Sequence, residues 1–202
     1  NHVILLSRNA QQIFWLGRYL TRIQYLCSQF PFKYNDDALQ YAHAFCLPAF
    51  DAASLNELIL NPEQPASFHQ QFQYAKDNIQ DLRGVLSAHA YAELNQYIKN
   101  AKENPAYICD VVGDCHEVLE AEASDIFLFF KLGQQLEQLD RQLRLKQDMQ
   151  GTVYYAAVVV GLLTQAGWDS LSEIWMKLKQ QPDSMHFYQF SDHIQQLFEA
   201  DA

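Results

Sequence analysis

A short helical motif occurs twice in this chain, with the two copies 116 positions apart. The matching apolar and glycine positions are Leu16, Gly17, Leu20 and Ile23 in the first copy and Leu132, Gly133, Leu136 and Leu139 in the second. Apolar residues at this spacing form one face of a helix. Glycine inside a helix costs about 1 kcal/mol relative to alanine, so its recurrence indicates close helix–helix contact. The motif predicts two packed helices, paired within one chain or between two copies in a homodimer.

Helical patterning covers most of the sequence, whereas strand and hairpin signals are scarce. Apolar periodicity, Pro and Gly stops and candidate caps predict helices at about 7–29, 36–46, 51–60, 66–86, 87–102, 105–122, 124–149, 151–167, 168–181 and 184–199. The expected caps are Ser7, Asp51 and Ser87, and Pro105 is expected to open a helix. Residues 151–166 also suit a strand because they contain three successive valines. We predict an all-α fold in which residues 1–202 form a single-domain helical bundle.

The composition is acidic, with 14 Lys and Arg against 24 Asp and Glu and a net charge of −10. Nucleic acids and anionic membrane surfaces need clustered cations, so we expect neither as a partner. The apolar run at 153–163 is about half the length that spans a bilayer. No signal peptide is recognisable at the start, and the four cysteines have no framework spacing. We therefore expect a cytoplasmic protein with reduced thiols.

The second motif helix carries two acids, Glu137 and Asp140, three positions apart. Arg141 and Arg144 follow them at i+4, so one interpretation is a solvated face with two ion pairs of about 0.2–0.5 kcal/mol each. The other interpretation is a polar site inside the bundle, where facing helices bring side chains together. The sequence leaves both open.

Buried arginines would need carboxylate partners. We hypothesise that Arg18 or Arg83 pairs with at least one of three acids: Asp125, Glu137 and Asp140. Asp77 and Asn78, which precede Arg83, are a further polar set; they form either a hydrophilic helix face or part of the same cluster.

Residues with metal-ligand chemistry are concentrated at 109–117, namely Cys109, Asp110, Asp114, Cys115, His116 and Glu117. Their spacing matches no zinc pattern such as Cys-x-x-Cys, so we interpret them as a buried cysteine beside an acidic outer face. No Gly-rich phosphate loop and no Gly-x-Ser-x-Gly elbow occur. We therefore expect no metal, no nucleotide and no other cofactor.

Aromatic residues mostly suit the core, but Phe127, Phe129 and Phe130 cover more than one side of their helix, and Tyr154 and Tyr155 add to them. A helix that is apolar all round is central or binds a partner. A partner-facing surface is therefore one expectation.

The motifs resemble the bacterial alpha-E domain family. The segments that carry this resemblance are Leu6-Ser7-Arg8, Trp15-Leu16-Gly17-Arg18-Tyr19-Leu20, Ala75-Lys76-Asp77-Asn78, Leu82-Arg83, Ser87, Leu94-Asn95 and the second Leu-Gly helix at 132–144. The family's first helix usually has three acids, at positions that correspond to Gln11, Thr21 and Gln24 here. Glutamine cannot act as a general base, so the resemblance implies a half-neutralised, degenerate site. The acids of the second half are retained as Asp125, Glu137 and Asp140.

The resemblance also implies an association with ATP-grasp amide ligases and transglutaminase-like proteases. The leading expectation is a non-catalytic subunit that partners an ATP-grasp ligase or a fuller alpha-E protein. One alternative is an enzyme that acts on a small peptide or amino-acid-like substrate. Its candidate catalytic residues are Glu137, Asp140 and Asp125, and its candidate substrate-binding residues are Arg18, Arg83, Asn78 and Asp77. A purely structural helical scaffold is the other alternative.

Overall fold

A computed structural model describes residues 5–103 and 107–200 of the chain. These residues form ten α-helices and no strand, which confirms the all-α prediction. The helices are α1 (Ser7–Gln29), α2 (Asn35–Ala44), α3 (Ala52–Leu60), α4 (Phe68–Asp81), α5 (Ala88–Glu103), α6 (Ile108–Glu120), α7 (Ser124–Leu145), α8 (Gln150–Gln165), α9 (Leu171–Gln180) and α10 (Ser184–Glu199). The segment that also suited a strand is helical as α8.

Two of the three expected caps are confirmed. Asp51 accepts a hydrogen bond from the Ser54 amide and forms a capping box at α3, and the Ser87 hydroxyl accepts one from the Ala90 amide at α5. The prediction for Ser7 is wrong, because Ser7 already lies inside α1 and Leu6 occupies the N-cap. The predicted helix start at Pro105 lies outside the described residues.

The two motif helices pack against each other at the centre of the bundle, where α1 also contacts α4, α6 and α10. At their crossing, a Cβ on Gly17 would overlap the carbonyl oxygen of Phe130, and a Cβ on Gly133 would overlap that of Phe14. Each glycine thus contacts the residue three positions before the other glycine. The close approach expected from the repeat is present within one chain, and only glycine allows it.

A disulfide joins Cys27, near the end of α1, to Cys109 in the first turn of α6, with the two Cα atoms 5.7 Å apart. The expectation of four reduced thiols is therefore wrong for this pair, which lies 82 positions apart in sequence and has no local signal. Cys46 is free and exposed, and Cys115 is free and buried. Burial raises the pKa of the Cys115 thiol to about 12.

Among the described helices, none combines the length and the apolar character that crossing a membrane requires. Of the aromatic residues expected at a partner-facing surface, the two tyrosines are exposed and the phenylalanines are not. Phe129 and Phe130 are fully buried, and Phe127 is half-buried beneath Lys131. The outer side of α8 instead exposes Tyr154, Tyr155, Val158 and Leu162, and α8 contains no charged side chain. We call these four residues the α8 face.

Candidate functional site

An ion-pair network lies between α1 and α7, one turn beyond the glycine crossing. The Nε atom of Arg18 donates to Glu137 Oε2 at 2.9 Å, and the Nε atom of Arg22 donates to Glu137 Oε1 at 2.6 Å. Arg18 also donates to Asp140 Oδ2 at 3.2 Å, and Arg144 donates to Asp140 Oδ1 at 2.8 Å. The hypothesised pairing of Arg18 with at least one acid is therefore present, and it involves two of the three acids, Glu137 and Asp140.

The glycine crossing explains how this network forms. Gly17 and Gly133 bring the two backbones close, so the side chains that follow on each helix meet across the interface. Arg18 and Glu137 are almost fully buried, with 7% and 5% of their side-chain surface exposed. Charged groups so well buried need partners of opposite charge, and Arg18 and Glu137 supply this partner to each other.

Glu137 is a carboxylate under strong electrostatic stabilisation. Burial alone would raise the pKa of Glu137, but the positive charges and hydrogen bonds of Arg22 and Arg18 outweigh it and lower the pKa to about 2. Arg22 responds in the opposite sense: burial would lower its pKa, but Glu137 raises it. Glu137 is consequently a weak base whose lone pairs are already engaged.

A pocket of about 210 Å³ opens beside the network. It is lined by Thr21, Arg22, Tyr25, Leu26, Tyr41, Phe45, Leu47, Ala66, Gln71, Glu137, Asp140, Arg141 and Arg144. Three arginines and two acids line it, so the pocket carries excess positive charge in a chain whose net charge is −10. We call it the arginine pocket.

Among the three arginines that line the pocket, Arg141 has no acid partner in the described part of the chain, whereas Arg22 and Arg144 are paired. The predicted i,i+4 pair between Glu137 and Arg141 is not formed, because Glu137 turns toward α1 and Arg141 stacks on Tyr25, 4.2 Å from its ring centroid. The predicted pair between Asp140 and Arg144 is formed. The Nε atom of Arg141 is buried and has no hydrogen-bond partner among the described residues.

Two further buried polar atoms of pocket-lining residues have no hydrogen-bond partner within residues 5–103 and 107–200: the Thr21 hydroxyl and the Oε1 atom of Gln71. Buried polar groups are normally hydrogen-bonded, and unpaired ones cost about 1–3 kcal/mol each. Three such atoms belong to residues that line this one small pocket, which makes it the leading candidate binding site.

The structure separates several predicted site residues from this pocket. Asp125 lies in the first turn of α7, twelve residues and thus about 18 Å along the helix from Glu137. Arg83 is exposed and lies over the Tyr91 ring, 6.0 Å from its centroid. Of the three candidate catalytic acids, the pocket brings together Glu137 and Asp140 only.

The predicted polar residues of α4, Asp77 and Asn78, form hydrogen bonds away from the arginine pocket. Asn78 donates to Gln12 of α1 at 2.6 Å, and Asp77 accepts from Gln73 on the helix surface at 2.9 Å. Neither lines the arginine pocket. Among the four predicted substrate-binding residues, Arg18 alone joins the network, behind the pocket wall.

The segment 109–117 does not gather metal ligands: no group of three His, Cys, Asp or Glu side chains suited to a cation occurs among the described residues. Cys109 is in the disulfide, and His116 hydrogen-bonds Gln134 of α7 at 2.7 Å. Burial lowers the pKa of His116 to about 4.

The sequence reasoning missed several lining residues, above all Arg22, Tyr25, Tyr41 and Gln71. Arg22 had a local signal, because it follows Arg18 by one helical turn and so shares its face. Tyr41 and Gln71 come from α2 and α4, and no local spacing relates them to α7.

One family model matches the chain, over residues 35–171: Alpha-E, a predicted alpha-helical domain with a conserved ER motif. The chain belongs to the Alpha-E family. The match runs from α2 to the first residue of α9, so it includes Glu137 and Asp140 but not α1. The dipeptide Glu-Arg does not occur in this Alpha-E sequence; Asp140-Arg141 is an acid–arginine dipeptide inside the matched range. Neither a curated protein nor a solved structure matches the chain.

Proposed function

We propose that this Alpha-E protein is a non-catalytic subunit that binds a small anionic ligand in the arginine pocket. We further propose that it acts in peptide or amide-bond metabolism, beside an ATP-grasp-type ligase or a second Alpha-E protein. The observation that carries the first part is Arg141, a pocket-lining guanidinium without an acid partner in the described chain. The second part rests on family resemblance and on the α8 face.

The ligand class follows from the chemistry of the wall. Guanidinium groups bind carboxylates and phosphates through paired N–H donors, and Arg141 lines the pocket without an acid partner in the described part of the chain. Thr21 and Gln71 also line the pocket, and their hydroxyl and amide groups are of the kind that pairs with a polar neighbour of the anion. At about 210 Å³ the pocket is smaller than typical drug-sized sites, so it suits the carboxyl end of a peptide or an amino-acid-like molecule.

The acids of the pocket support positioning better than catalysis. A general base works best with a pKa near the working pH, whereas the pKa of Glu137 is lowered to about 2. Asp140 is likewise engaged, by Arg18 and Arg144. Their role in this proposal is to hold the arginines that face the ligand. The polar pocket between the motif helices also favours the alternative, an enzyme that uses Asp140, so the test includes turnover.

The ligand proposal is tested by calorimetric titration of the full chain with alanyl-alanine and with its C-terminal amide. We expect the free carboxylate to bind and the amide to bind at least about tenfold more weakly, because only the former pairs with Arg141. Arg141→Gln should lower the affinity for the dipeptide by a similar factor. Lys177→Gln, an exposed site on α9, removes the same charge and should leave binding unchanged. Equal binding of acid and amide would overturn the proposal.

Turnover separates the two readings of the site. The purified chain, incubated with alanyl-alanine or with alanine, ATP and Mg²⁺, should release no amino acid and form no dipeptide. Turnover that Asp140→Asn abolishes and Arg141→Gln only slows would establish the enzyme instead.

The partner proposal is tested by affinity capture of the tagged chain from its native cell extract. The α8 face supplies the docking surface, since an apolar, uncharged helix side is what a partner can cover without desolvating charges. We expect a near-stoichiometric ATP-grasp ligase or Alpha-E protein, lost in Tyr155→Glu and retained in Tyr34→Glu, which alters an exposed tyrosine before α2. Recovery of the chain alone would leave the scaffold and enzyme alternatives.

A further inference from the structure

A second, larger cavity of about 510 Å³ lies among α1, α3, α4, α5 and α6. Its described lining residues are Cys27, Phe30, Ile59, Leu60, Pro62, Phe68, His69, Phe72, Gln73, Lys76, Ile98, Ala101, Lys102, Ile108 and Cys109. We call it the apolar cavity. It shares no lining residue with the arginine pocket, and the disulfide that joins α1 to α6 forms part of its wall.

The inner wall of the apolar cavity is hydrocarbon. Ile59, Phe68, Phe72, Ile98 and Ile108 are buried in the core and also line the cavity. Most of the lining belongs to helices, whose backbone N–H and C=O groups are bonded within the helix. A peptide in this cavity would find few partners for its own amides. The wall therefore favours a ligand that is apolar along its length.

The outer part of the cavity is basic. Lys102 and His69 are exposed, Lys76 is half-buried, and no Asp or Glu occurs among the described lining residues. None of the three basic side chains has an ion pair within the described part of the chain. In a chain with 24 acids and 14 Lys and Arg, a rim whose described residues include two lysines and no acid selects against cations and for one anionic group.

We propose that the apolar cavity binds a straight-chain carboxylate, with the hydrocarbon chain among Phe68, Phe72 and Ile98 and the carboxylate at Lys76 and Lys102. The cavity volume lies within the range of small-molecule sites, and each buried CH₂ contributes about 0.8 kcal/mol. The site is independent of the function proposed above, because it uses different residues and an apolar ligand body.

The experiment is calorimetric titration of the full chain with decanoate and with 1-decanol, which has the same chain length without the charge. We expect saturable binding of about one decanoate per chain. The double variant Lys76→Gln/Lys102→Gln should weaken the binding of decanoate by at least about fivefold and leave the affinity for decanol unchanged. Lys177→Gln/Lys179→Gln on α9 makes the same change in net charge at exposed sites and should leave both ligands unchanged.

Gln73→Trp tests the location of the hydrocarbon chain without altering a buried residue, because Gln73 is half-exposed at the cavity. The added ring should occupy the cavity and lower the affinity for both ligands by at least about tenfold, while the helical circular dichroism spectrum is preserved. Arg141→Gln should leave decanoate binding unchanged, which distinguishes this site from the arginine pocket.

The proposal is overturned if decanoate does not bind saturably, if Gln73→Trp leaves binding intact, or if the Lys76/Lys102 variant weakens decanol as much as decanoate. Loss of decanoate binding in Arg141→Gln would move the carboxylate to the arginine pocket and would equally overturn it.

Discussion

At the residue scale, Glu137 is the side chain on which the polar interior depends. Its two carboxylate oxygens accept hydrogen bonds from Arg18 and Arg22. The nearby Asp140 carboxylate accepts hydrogen bonds from Arg18 and Arg144. Truncating one partner of a buried ion pair leaves an uncompensated charge, which is far more costly than losing a surface pair.

Glu137→Gln is therefore expected to lower the free energy of unfolding by about 3–5 kcal/mol. Glu120→Gln, which breaks a more exposed pair with Lys131, should cost less than about 1 kcal/mol. Urea titration followed by circular dichroism measures both. Equal costs for the two variants would show that the Glu137 network contributes no more than a surface pair.

Glu137 also predicts a pH dependence. Its pKa is lowered from 4.5 to about 2 in the folded chain, so the unfolded chain takes up the proton first. The stability that this difference contributes, about 3 kcal/mol, is present above pH about 4.5 and is lost as pH falls toward 2. Urea midpoints measured across this range should fall in the wild type, and the fall should be smaller in Glu137→Gln. Parallel profiles would contradict the assignment.

His116 predicts a second pH dependence of the stability, in a higher pH range than that of Glu137. Burial lowers its pKa from 6.5 to about 4, with Glu120 opposing and Lys131 adding to the shift. The unfolded chain therefore binds the proton first, and stability should decrease as pH falls from about 6.5 to 4. His116→Gln should remove the decrease in that window and leave the one below pH 4.5. The same urea series checks this, and an unchanged slope above pH 4.5 would contradict it.

At the element scale, the crossing of α1 and α7 positions every side chain of the network. Gly17→Ala or Gly133→Ala would press a methyl group into the opposing backbone carbonyl, so we expect a loss of at least about 1–3 kcal/mol. Gly161→Ala is the matched control, because Gly161 lies in the exposed part of α8 with nothing near its Cβ position. It should stabilise the chain by about 0.5–1 kcal/mol. Thermal unfolding measures the set, and a neutral Gly17→Ala would refute the close crossing.

Helix α1 and helix α10 begin and end at the predicted residues, because apolar periodicity and Pro stops act over neighbouring positions. The sequence left open whether Arg141 pairs with Glu137 on its own helix, and the reason is physical. Its local i,i+4 acid competes with arginines on another helix, and only the packed structure decides that competition. Tyr41 and Gln71 reach the pocket through tertiary packing, which local spacing does not encode.

At the scale of the whole molecule, the disulfide closes a long segment across the bundle. Cross-linking residues 82 positions apart restricts the unfolded chain, so Cys27→Ala/Cys109→Ala should lower the free energy of unfolding by about 2–4 kcal/mol. Cys46→Ala, at a free and exposed thiol, should have little effect. Thiol counting by mass spectrometry under non-reducing conditions should find two free thiols, and four would contradict the pairing.

The charge distribution connects the two proposed sites. In a chain with a net charge of −10, arginines outnumber acids in the lining of one pocket, and the described lining of the other contains two lysines and no acid. Local positive potential in an acidic protein favours small anions while it discourages nucleic acid. The positive charge of the arginine pocket thus assigns it small anions as ligands.

Thr21 offers the most direct test of this assignment, because it lies on the wall of the arginine pocket, one residue before Arg22. Thr21→Glu should supply an internal carboxylate to the arginines and reduce alanyl-alanine affinity by more than about tenfold. Thr21→Gln has nearly the same volume without the charge and should stay within about threefold of wild type. If Thr21→Glu binds the dipeptide as tightly as Thr21→Gln does, the arginine pocket is not the anion site.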